Sequence, residues 1–264
     1  MKTAIQVNNR INHLFRDKPG KILSVYFTAG YPGVDDTRTI IETLAASGVD
    51  LIEIGIPFSD PVADGPTIQA SSQTALDNGM TLDRLFTQLK SIRDTVDIPL
   101  ILMGYLNPVL QYGLSAFCSK ARAAGIDGLI IPDLPMQEYL EQYKALFDQS
   151  ELHNIFLISP QTSEERIRLI DEKTDGFIYM VSSASITGAR SGITSEQESY
   201  FERIRKMNLK NPALIGFGIS NKATFDTACQ YAQGAIIGSA FIKALKGETD
   251  LKSSITDFVK TIKG

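Results

Sequence analysis

The sequence is poor in the residues on which several classes of protein depend. Its 264 residues include no tryptophan, two cysteines and two histidines. Cys118 and Cys229 are too few for a disulfide framework or a four-ligand zinc site. Because His13 and His153 are the only histidines, we expect no metal site, and acid–base chemistry must come from carboxylates or tyrosines.

An excess of basic charge and long apolar stretches are also lacking. Lys and Arg total 26 against 30 Asp and Glu, a net charge of −4, so the basic excess of nucleic-acid-binding proteins is absent. No apolar run approaches the roughly 20 residues of a membrane span. Residues 1–10 show no apolar stretch of a secretory signal. We therefore expect a cytoplasmic protein without nucleic-acid or membrane partners, with a processed plastid form as the open alternative.

Short apolar runs alternate with amphipathic segments along the whole chain. They are rich in Ile, Leu and Val and bounded by Gly, Pro, Ser or Asp, as is typical of buried parallel strands. There are eight of them: 22–28, 51–54, 100–103, 128–131, 155–158, 177–181, 213–215 and 235–237. Eight strand–helix units in 264 residues average 33 residues each. This spacing predicts one α/β domain over residues 1–264, a (β/α)8 TIM barrel.

The main competing architecture is an open doubly wound sheet. Such a sheet normally carries a GxGxxG phosphate loop after its first strand, and that pattern is absent here. Two further patterns predict where helices of the barrel lie. An amphipathic segment within residues 1–16, with Ile11 and Phe15 on its apolar side, predicts an extra leading helix that covers one barrel end. Thr162 and Glu165 fit a capping box that opens the helix after the fifth strand.

Glu53 is a charged residue inside the second apolar run. With the period of two of a strand, Leu51 and Glu53 share one face, while Ile52 and Ile54 share the other. A carboxyl group inside the barrel is desolvated, so its pKa rises toward neutrality and it exchanges protons near pH 7. The alternative is a structural core glutamate paired with a buried cation or backbone N–H. The spacing alone favours neither.

The segment after Glu53, residues 55–66, is longer than most strand–helix loops. Long loops at the C-terminal end of a barrel tend to be functional, since active sites lie at that end. The segment contains Asp60 and Asp64. Aspartate next to proline or glycine also initiates turns, so the spacing does not show which of the two, if either, contacts a substrate.

Glycines follow the last three strands. Gly216 and Gly218 follow the seventh strand, and Gly238 with Ser239 follows the eighth and opens a helix. Backbone N–H groups at a helix N-terminus favour anions, and these two loops are the usual phosphate site of TIM barrels. We therefore predict a phosphate site here. The alternative is that these glycines only permit tight turns.

The Gly- and Ser-rich loop 182–192 after the sixth strand is either a lid over the site or a surface loop without a role.

Longer motifs lie in the same places. Residues 51–69 read LIEIGIPFSDPVADGPTIQ, and shorter ones follow: LMGY at 102–105 with Asn107-Pro108, PDLP at 132–135, GFGIS at 216–220 and GSA at 238–240. In this order, they resemble the tryptophan synthase alpha chain family over nearly the whole chain. The loop 182–192 departs from the family pattern, because Ser185 stands where the family commonly has glycine.

The resemblance implies a lyase of tryptophan biosynthesis that cleaves indole-3-glycerol phosphate to indole and glyceraldehyde 3-phosphate. It implies no cofactor in this chain, and a beta chain that carries pyridoxal phosphate and joins it in an alpha2beta2 heterotetramer. The implied catalytic residues are Glu53, Asp64 and Tyr179. The implied substrate contacts are Phe27, Leu102, Thr187, Gly188, Gly218, Gly238 and Ser239. The implied partner contacts are Asp60, Pro61, Asn107, Asp133 and Pro135.

The chemistry of this cleavage agrees with the carboxylates. Breaking the bond at indole C3 requires a proton delivered to C3 and a proton removed from the side-chain hydroxyl. Glu53 can serve both steps in turn, and Asp64 can accept the indole N–H and stabilise the developing positive charge. Three alternatives stay open: a stand-alone indole-releasing lyase, a barrel enzyme for another phosphorylated substrate, and a non-catalytic phosphate-sensing subunit that activates a partner.

Overall fold

In the computed structural model of the chain, the structure describes residues 7–181, 194–216, 218–247 and 250–264. Within these residues, nine parallel strands form one sheet, in the order β5-β4-β3-β2-β1-β9-β8-β7-β6. The strands are β1 (Ile22–Thr28), β2 (Leu51–Gly55), β3 (Leu100–Met103), β4 (Gly128–Ile130), β5 (His153–Ile155), β6 (Leu157–Ile158), β7 (Ile178–Val181), β8 (Ala213–Gly216) and β9 (Gly234–Ile237).

Strands β5 and β6 are two halves of one barrel strand. Only Phe156 separates them; β5 pairs with β4, and β6 pairs with β7. The backbone N–H of Tyr179 donates to the carbonyl of Phe156 at 3.0 Å, so the ladder continues through the break. The chain itself therefore joins the two ends of the sheet. The predicted (β/α)8 TIM barrel is confirmed, with its fifth strand divided between two neighbours.

Helices surround the sheet on its outer side, except the first, which closes one end of the barrel. They are α1 (Arg10–Asp17), α2 (Thr37–Ala46), α3 (Pro66–Asp77), α4 (Leu82–Gln88), α5 (Leu106–Tyr112), α6 (Leu114–Ala123), α7 (Met136–Glu138), α8 (Lys144–Gln149), α9 (Glu164–Lys173), α10 (Ser195–Lys206), α11 (Lys222–Ala228), α12 (Ser239–Ala244) and α13 (Leu251–Lys263). A 3₁₀ turn covers Ile92–Asp94, and a π turn, Tyr139–Tyr143, joins α7 to α8. None of the helices in the described residues is long and apolar enough to cross a membrane.

The capping box predicted at Thr162 is wrong by one residue. Helix α9 is capped by Ser163, whose side chain accepts from the N–H of Arg166. The Thr162 hydroxyl instead accepts from the N–H of Ser159 at 2.9 Å. Both hydroxyls bind backbone N–H groups, but only Ser163 stands directly before the first helical residue, where a cap must be.

Alternation along the strands divides the core into an inner and an outer layer. On β2, Leu51 packs with the inner layer, whereas Ile52 and Ile54 pack with the outer layer beneath the helices. This confirms the predicted faces and places Glu53 inside the barrel. The inner layer takes one or more residues from nearly every strand: Ile22, Tyr26, Leu51, Ile101, Ile130, Ile155, Phe177, Tyr179, Leu214 and Ile236.

The leading helix closes the N-terminal end of the barrel. Ile11 of α1 is fully buried within the inner layer, and the rings of Phe15 and Phe177 lie 5.6 Å apart. The helix begins at Arg10 because the Asn9 side chain accepts from a backbone N–H of the first turn. It is therefore shorter than the predicted segment 1–16, of which residues 1–6 lie outside the described part. The C-terminal ends of the strands, where TIM-barrel sites lie, are at the opposite end of the barrel from this helix.

Candidate active site

Glu53 lies fully buried on the inner face of β2. The hydroxyl of Ser24 on β1 donates to Glu53 Oε1 at 2.6 Å, whereas Oε2 has no hydrogen-bond partner among the described residues. Burial raises the pKa of Glu53 to about 7, and the Ser24 hydrogen bond opposes this shift. A group with this pKa is protonated in part of the population near neutral pH, so it can both donate and accept a proton.

Asp64 lies in the loop between β2 and α3 and is buried although the loop is at the surface. The Tyr105 hydroxyl donates to Asp64 Oδ2 at 2.9 Å and accepts from the N–H of Ala63 at 2.9 Å. Burial raises the pKa of Asp64 to about 6, and the bond from Tyr105 lowers it. Tyr105 therefore holds the loop and its carboxylate together. In the sequence, Tyr105 stands within the LMGY motif at 102–105, and nothing adjacent to it indicates its bond to Asp64.

Two inner-layer tyrosines stand beside the carboxylates. Burial and the charges of Glu53 and Asp64 raise the pKa of Tyr179, and burial with the charge of Asp64 raises the pKa of Tyr26. Both phenols therefore remain neutral. The ring of each rests against a glycine of the next strand, where a side chain would collide with it: Tyr26 against Gly55 and Tyr179 against Gly216. These glycines leave the room that the two rings occupy.

A small pocket opens next to Asp64 at the C-terminal end of the strands. The lining combines apolar side chains with the two groups of the Asp64–Tyr105 pair: Tyr26, Ile56, Pro61, Asp64, Ser72, Met103, Gly104, Tyr105 and Pro132. Glu53 pairs with Tyr26 in the register between β2 and β1. The pocket thus has a carboxylate in its wall and a second one buried beside its Tyr26 side.

The predicted apolar substrate contacts are wrong by one residue on two strands. Phe27 and Leu102 are buried in the outer layer, beneath the helices. Their neighbours Tyr26 and Met103 face the interior and line the pocket. Because successive strand residues point to opposite faces, an error of one position moves a side chain from the pocket to the helix layer. The apolar side chains of Phe27 and Leu102 do not indicate which face of the strand they lie on, because the inner and outer layers of the core are both apolar.

The predicted phosphate residues are only partly described. Gly218 has a φ of +79° and is exposed, and Gly238 precedes the exposed Ser239 at the start of α12. A Cβ on Gly238 would lie 3.3 Å from the ring of Tyr26, so the glycine packs on a wall of the pocket. Thr187 and Gly188 lie outside the described residues, as does Ser185.

The predicted partner residues lie around the mouth of the barrel. Asp60, Asn107, Asp133 and Pro135 are exposed, and Asp133 accepts from the N–H of Leu106 at 2.9 Å. Pro61 differs, because it is buried and lines the pocket. We therefore correct its assignment from the partner surface to the pocket wall.

The histidines stand apart from this site. His153 lies at the opposite end of the barrel, where its Nε2 is 2.7 Å from Asn12 Oδ1 of α1 and burial lowers its pKa to about 4. Across the described ranges, no group of three His, Cys, Asp or Glu side chains is placed to hold a metal ion. A barrel with a pocket and two buried carboxylates toward the C-terminal ends of its strands has the arrangement of a TIM-barrel enzyme.

Comparison with known proteins agrees with this class. The family model described as tryptophan synthase alpha chain matches residues 14–263. The tryptophan synthase alpha chain of Flavobacterium johnsoniae is 61% identical over 255 residues, covering 97% of this chain and all of that one. That of Flavobacterium psychrophilum is 62% identical over 254 residues, covering 96% and 99% of the two chains. The chain belongs to the tryptophan synthase alpha chain family.

Solved structures give the same result at lower identity. The alpha subunit from Legionella pneumophila strain Paris has a TM-score of 0.86 at 33% identity, with 97% of both chains covered. Tryptophan synthase from M. tuberculosis in an aminoacrylate-bound form has a TM-score of 0.84 at 30% identity, with 97% of this chain and 98% of that chain covered.

Alpha chains are lyases that cleave indole-3-glycerol phosphate in tryptophan biosynthesis, and this chain is one of them. They form complexes with a beta chain, to which the pyridoxal phosphate belongs, and need no cofactor themselves.

Proposed function

We propose that Glu53 carries both proton transfers of the cleavage. Protonated Glu53 donates to indole C3, and the carboxylate that this leaves then removes the proton from the side-chain hydroxyl as the carbon–carbon bond breaks. The electron pair of the broken bond returns to the indole ring and neutralises its positive charge, so neutral indole leaves. The aldehyde of glyceraldehyde 3-phosphate forms, and Glu53 is protonated again. A pKa of about 7 supports this double role, because neither protonation state is strongly disfavoured near neutral pH.

We propose that ionised Asp64 accepts the indole N–H. Protonation at C3 places positive charge on the ring, and a nearby carboxylate in a water-poor pocket stabilises that charge. The Tyr105 hydroxyl orients Asp64 through Oδ2, which leaves Oδ1 for the substrate. Tyr179 is close enough to both carboxylates for their charges to raise its pKa, which supports its predicted place in the active site. Tyr26 and Met103 take the place of Phe27 and Leu102 as apolar contacts of the indole ring.

We propose that the phosphate binds at the loops after β8 and β9. Exposed Gly218 and Ser239 offer backbone N–H groups, and the first N–H groups of α12 have no partner within the helix. Gly238 permits close approach of the phosphate while it packs on Tyr26. Thr187 and Gly188 remain predicted contacts.

We propose that the rim residues Asp60, Asn107, Asp133 and Pro135 contact the beta chain, in an alpha2beta2 heterotetramer in the cytoplasm. Their exposure around the mouth supports this, because indole must leave the barrel at that end. We further propose that residues 1–264 act as one domain.

The observation that carries these roles is a buried carboxyl group with one free oxygen beside a pocket that holds a second carboxylate. Indole release from indole-3-glycerol phosphate, measured with and without beta chain, tests them. We expect Glu53→Gln to reduce kcat by ~10²–10⁴-fold, the usual effect of losing a general acid–base group. We expect Asp64→Asn to raise the barrier by ~3–4 kcal/mol. Near-normal turnover of either variant removes that residue from the mechanism. A wild-type chain that releases indole only with beta chain would instead favour an activating subunit.

A further inference from the structure

The two oxygens of Glu53 have different surroundings. Oε1 accepts a short hydrogen bond, 2.6 Å, from the hydroxyl of Ser24, and Oε2 has no partner among the described residues. In a buried carboxyl group, an unpartnered oxygen is costly and therefore uncommon. Ser24 thus fixes the position of Oε1, whereas Oε2 can still form a hydrogen bond to a substrate.

Ser24 reaches the carboxyl group from the side away from the pocket. It pairs with Leu51 in the register of β1 and β2, whereas Tyr26, two residues nearer the mouth, pairs with Glu53. Ser24 is fully buried and does not line the pocket. A buried hydroxyl is tolerated when it is hydrogen bonded, and the bond it makes is to Glu53. The hydroxyl thus anchors the carboxyl group from below and leaves its other oxygen free.

We propose that Ser24 is a positioning residue for the lyase reaction: it fixes Oε1 of Glu53 so that Oε2 exchanges protons with the substrate. This inference rests on the proposed acid–base role of Glu53. A hydroxyl that donates to a carboxylate favours its ionised form, so Ser24 also keeps the buried group from remaining protonated throughout the working pH range.

The other titratable groups near Glu53 do not replace this function. Tyr26 from β1 and Tyr179 from β7 face it, but burial raises the pKa of both phenols, so they stay neutral. Asp64 from the loop after β2 is bonded to Tyr105 rather than to Glu53. Ser24 is the group within hydrogen-bond distance of Glu53 in the described part of the chain.

The test is the pH dependence of kcat/KM for indole release by Ser24→Ala, with Ser71→Ala as its matched control. Ser71 is also a fully buried serine, but its hydroxyl bonds Thr28 and the carbonyl of Ile68. The pH profile of kcat/KM has a limb governed by the ionisation of Glu53. We expect Ser24→Ala to move the apparent pKa of this limb upward by about one unit, because the ionised carboxylate loses a hydrogen bond. Ser71→Ala leaves that limb in place, and Ser24→Thr, which keeps the hydroxyl, restores it.

Comparison with the single variant Glu53→Gln distinguishes failure of this inference from failure of the proposed function. If Glu53→Gln loses activity but Ser24→Ala leaves the limb unmoved, the role of Ser24 is overturned and that of Glu53 stands. If Glu53→Gln turns over normally, the proposed function itself is overturned. Should Ser24→Ala not be recovered folded, Ser24→Cys substitutes a weak donor, and an upward shift smaller than one unit is expected. No shift in Ser24→Cys overturns the inference.

Discussion

Two buried carboxylates occupy opposite ends of this barrel, and their surroundings differ. Glu53, near the C-terminal mouth, has one hydroxyl donor and, within the described ranges, one oxygen without a partner. Asp127, just before β4 at the other end, is 2% exposed but fully partnered. Its Oδ2 accepts from Arg93 at 2.6 Å and from the N–H of Leu100 at 3.0 Å, and its Oδ1 accepts from Arg10 at 3.2 Å.

The two residues show two uses of a buried carboxylate: one stabilises the fold, and the other is suited to proton transfer. Two guanidinium groups and a backbone N–H compensate the desolvation of Asp127, and through Arg10 they tie the leading helix α1 to the barrel. The desolvation of Glu53 is compensated only in part, so its pKa rises to about 7. In TIM barrels, chemistry lies at the C-terminal ends of the strands and stability at the opposite ends, and these two residues follow that division.

The largest expected effect is on turnover. Replacing each carboxylate by its amide keeps the shape and removes the charge. Glu53→Gln should lose ~10²–10⁴-fold in kcat, whereas Asp127→Asn, assayed at a temperature where it is folded, should stay within about tenfold of wild type because it touches no reacting atom. Steady-state indole release measures both. A loss in Asp127→Asn as large as that in Glu53→Gln would end the distinction between the two ends.

Folding stability should show the opposite ranking. Asp127→Asn leaves Arg93, whose side chain is 17% exposed, without its charge partner, and breaking an ion pair with a buried carboxylate costs up to about 3–5 kcal/mol. Denaturant unfolding at pH 7 measures the loss of unfolding free energy. The control is Asp97→Asn, since Asp97 bonds the same Arg10 but is fully exposed and should cost less than about 1 kcal/mol. Equal losses in the two variants would contradict the structural role of Asp127.

The pH dependence of stability should sharpen the contrast at Glu53. Its pKa is raised from 4.5 to about 7 in the folded state, so its stabilising contribution is complete below pH 4.5 and is lost as pH rises through 7. Glu53→Gln cannot ionise and escapes this loss. Relative to wild type, it should therefore gain roughly 3 kcal/mol of unfolding free energy between pH 4.5 and pH 8. A constant difference between the two proteins over that range would show that Glu53 titrates normally.

The smallest expected effect is that of Asp60, one of the two aspartates of the loop after β2. Asp60 is exposed and bonded to the hydroxyl of Ser59, whereas Asp64 is buried and bonded to Tyr105. Asp60→Asn should change indole release by the isolated chain less than about threefold, because exposed charges contribute little, and should weaken activation by beta chain. Asp64→Asn should lose activity in both assays. Equal defects of the two variants in the isolated chain would show that both act only as turn residues.

Sequence reasoning predicted the elements better than the register of single side chains. The apolar runs located every barrel strand within about two residues, because buried parallel strands are continuously apolar over short lengths. The same property hid the faces of β1 and β3. Phe27 and Tyr26, or Leu102 and Met103, are equally apolar, and only the packing shows which of each pair lines the pocket. Glu53 escaped this ambiguity because its charge marks its face.

The sequence by itself determined the barrel, its leading helix and the carboxylate inside it, since hydrophobic periodicity and a charge within an apolar run are local signals. Tertiary structure decided which groups surround that carboxylate. Ser24 lies 29 positions from Glu53 and Tyr105 lies 41 positions from Asp64. The division of the fifth strand and the tie of Asp127 to α1 likewise depend on contacts distant along the chain. Such contacts follow from strand register and barrel closure, which are set by packing of the whole chain rather than by the residues adjacent to the site.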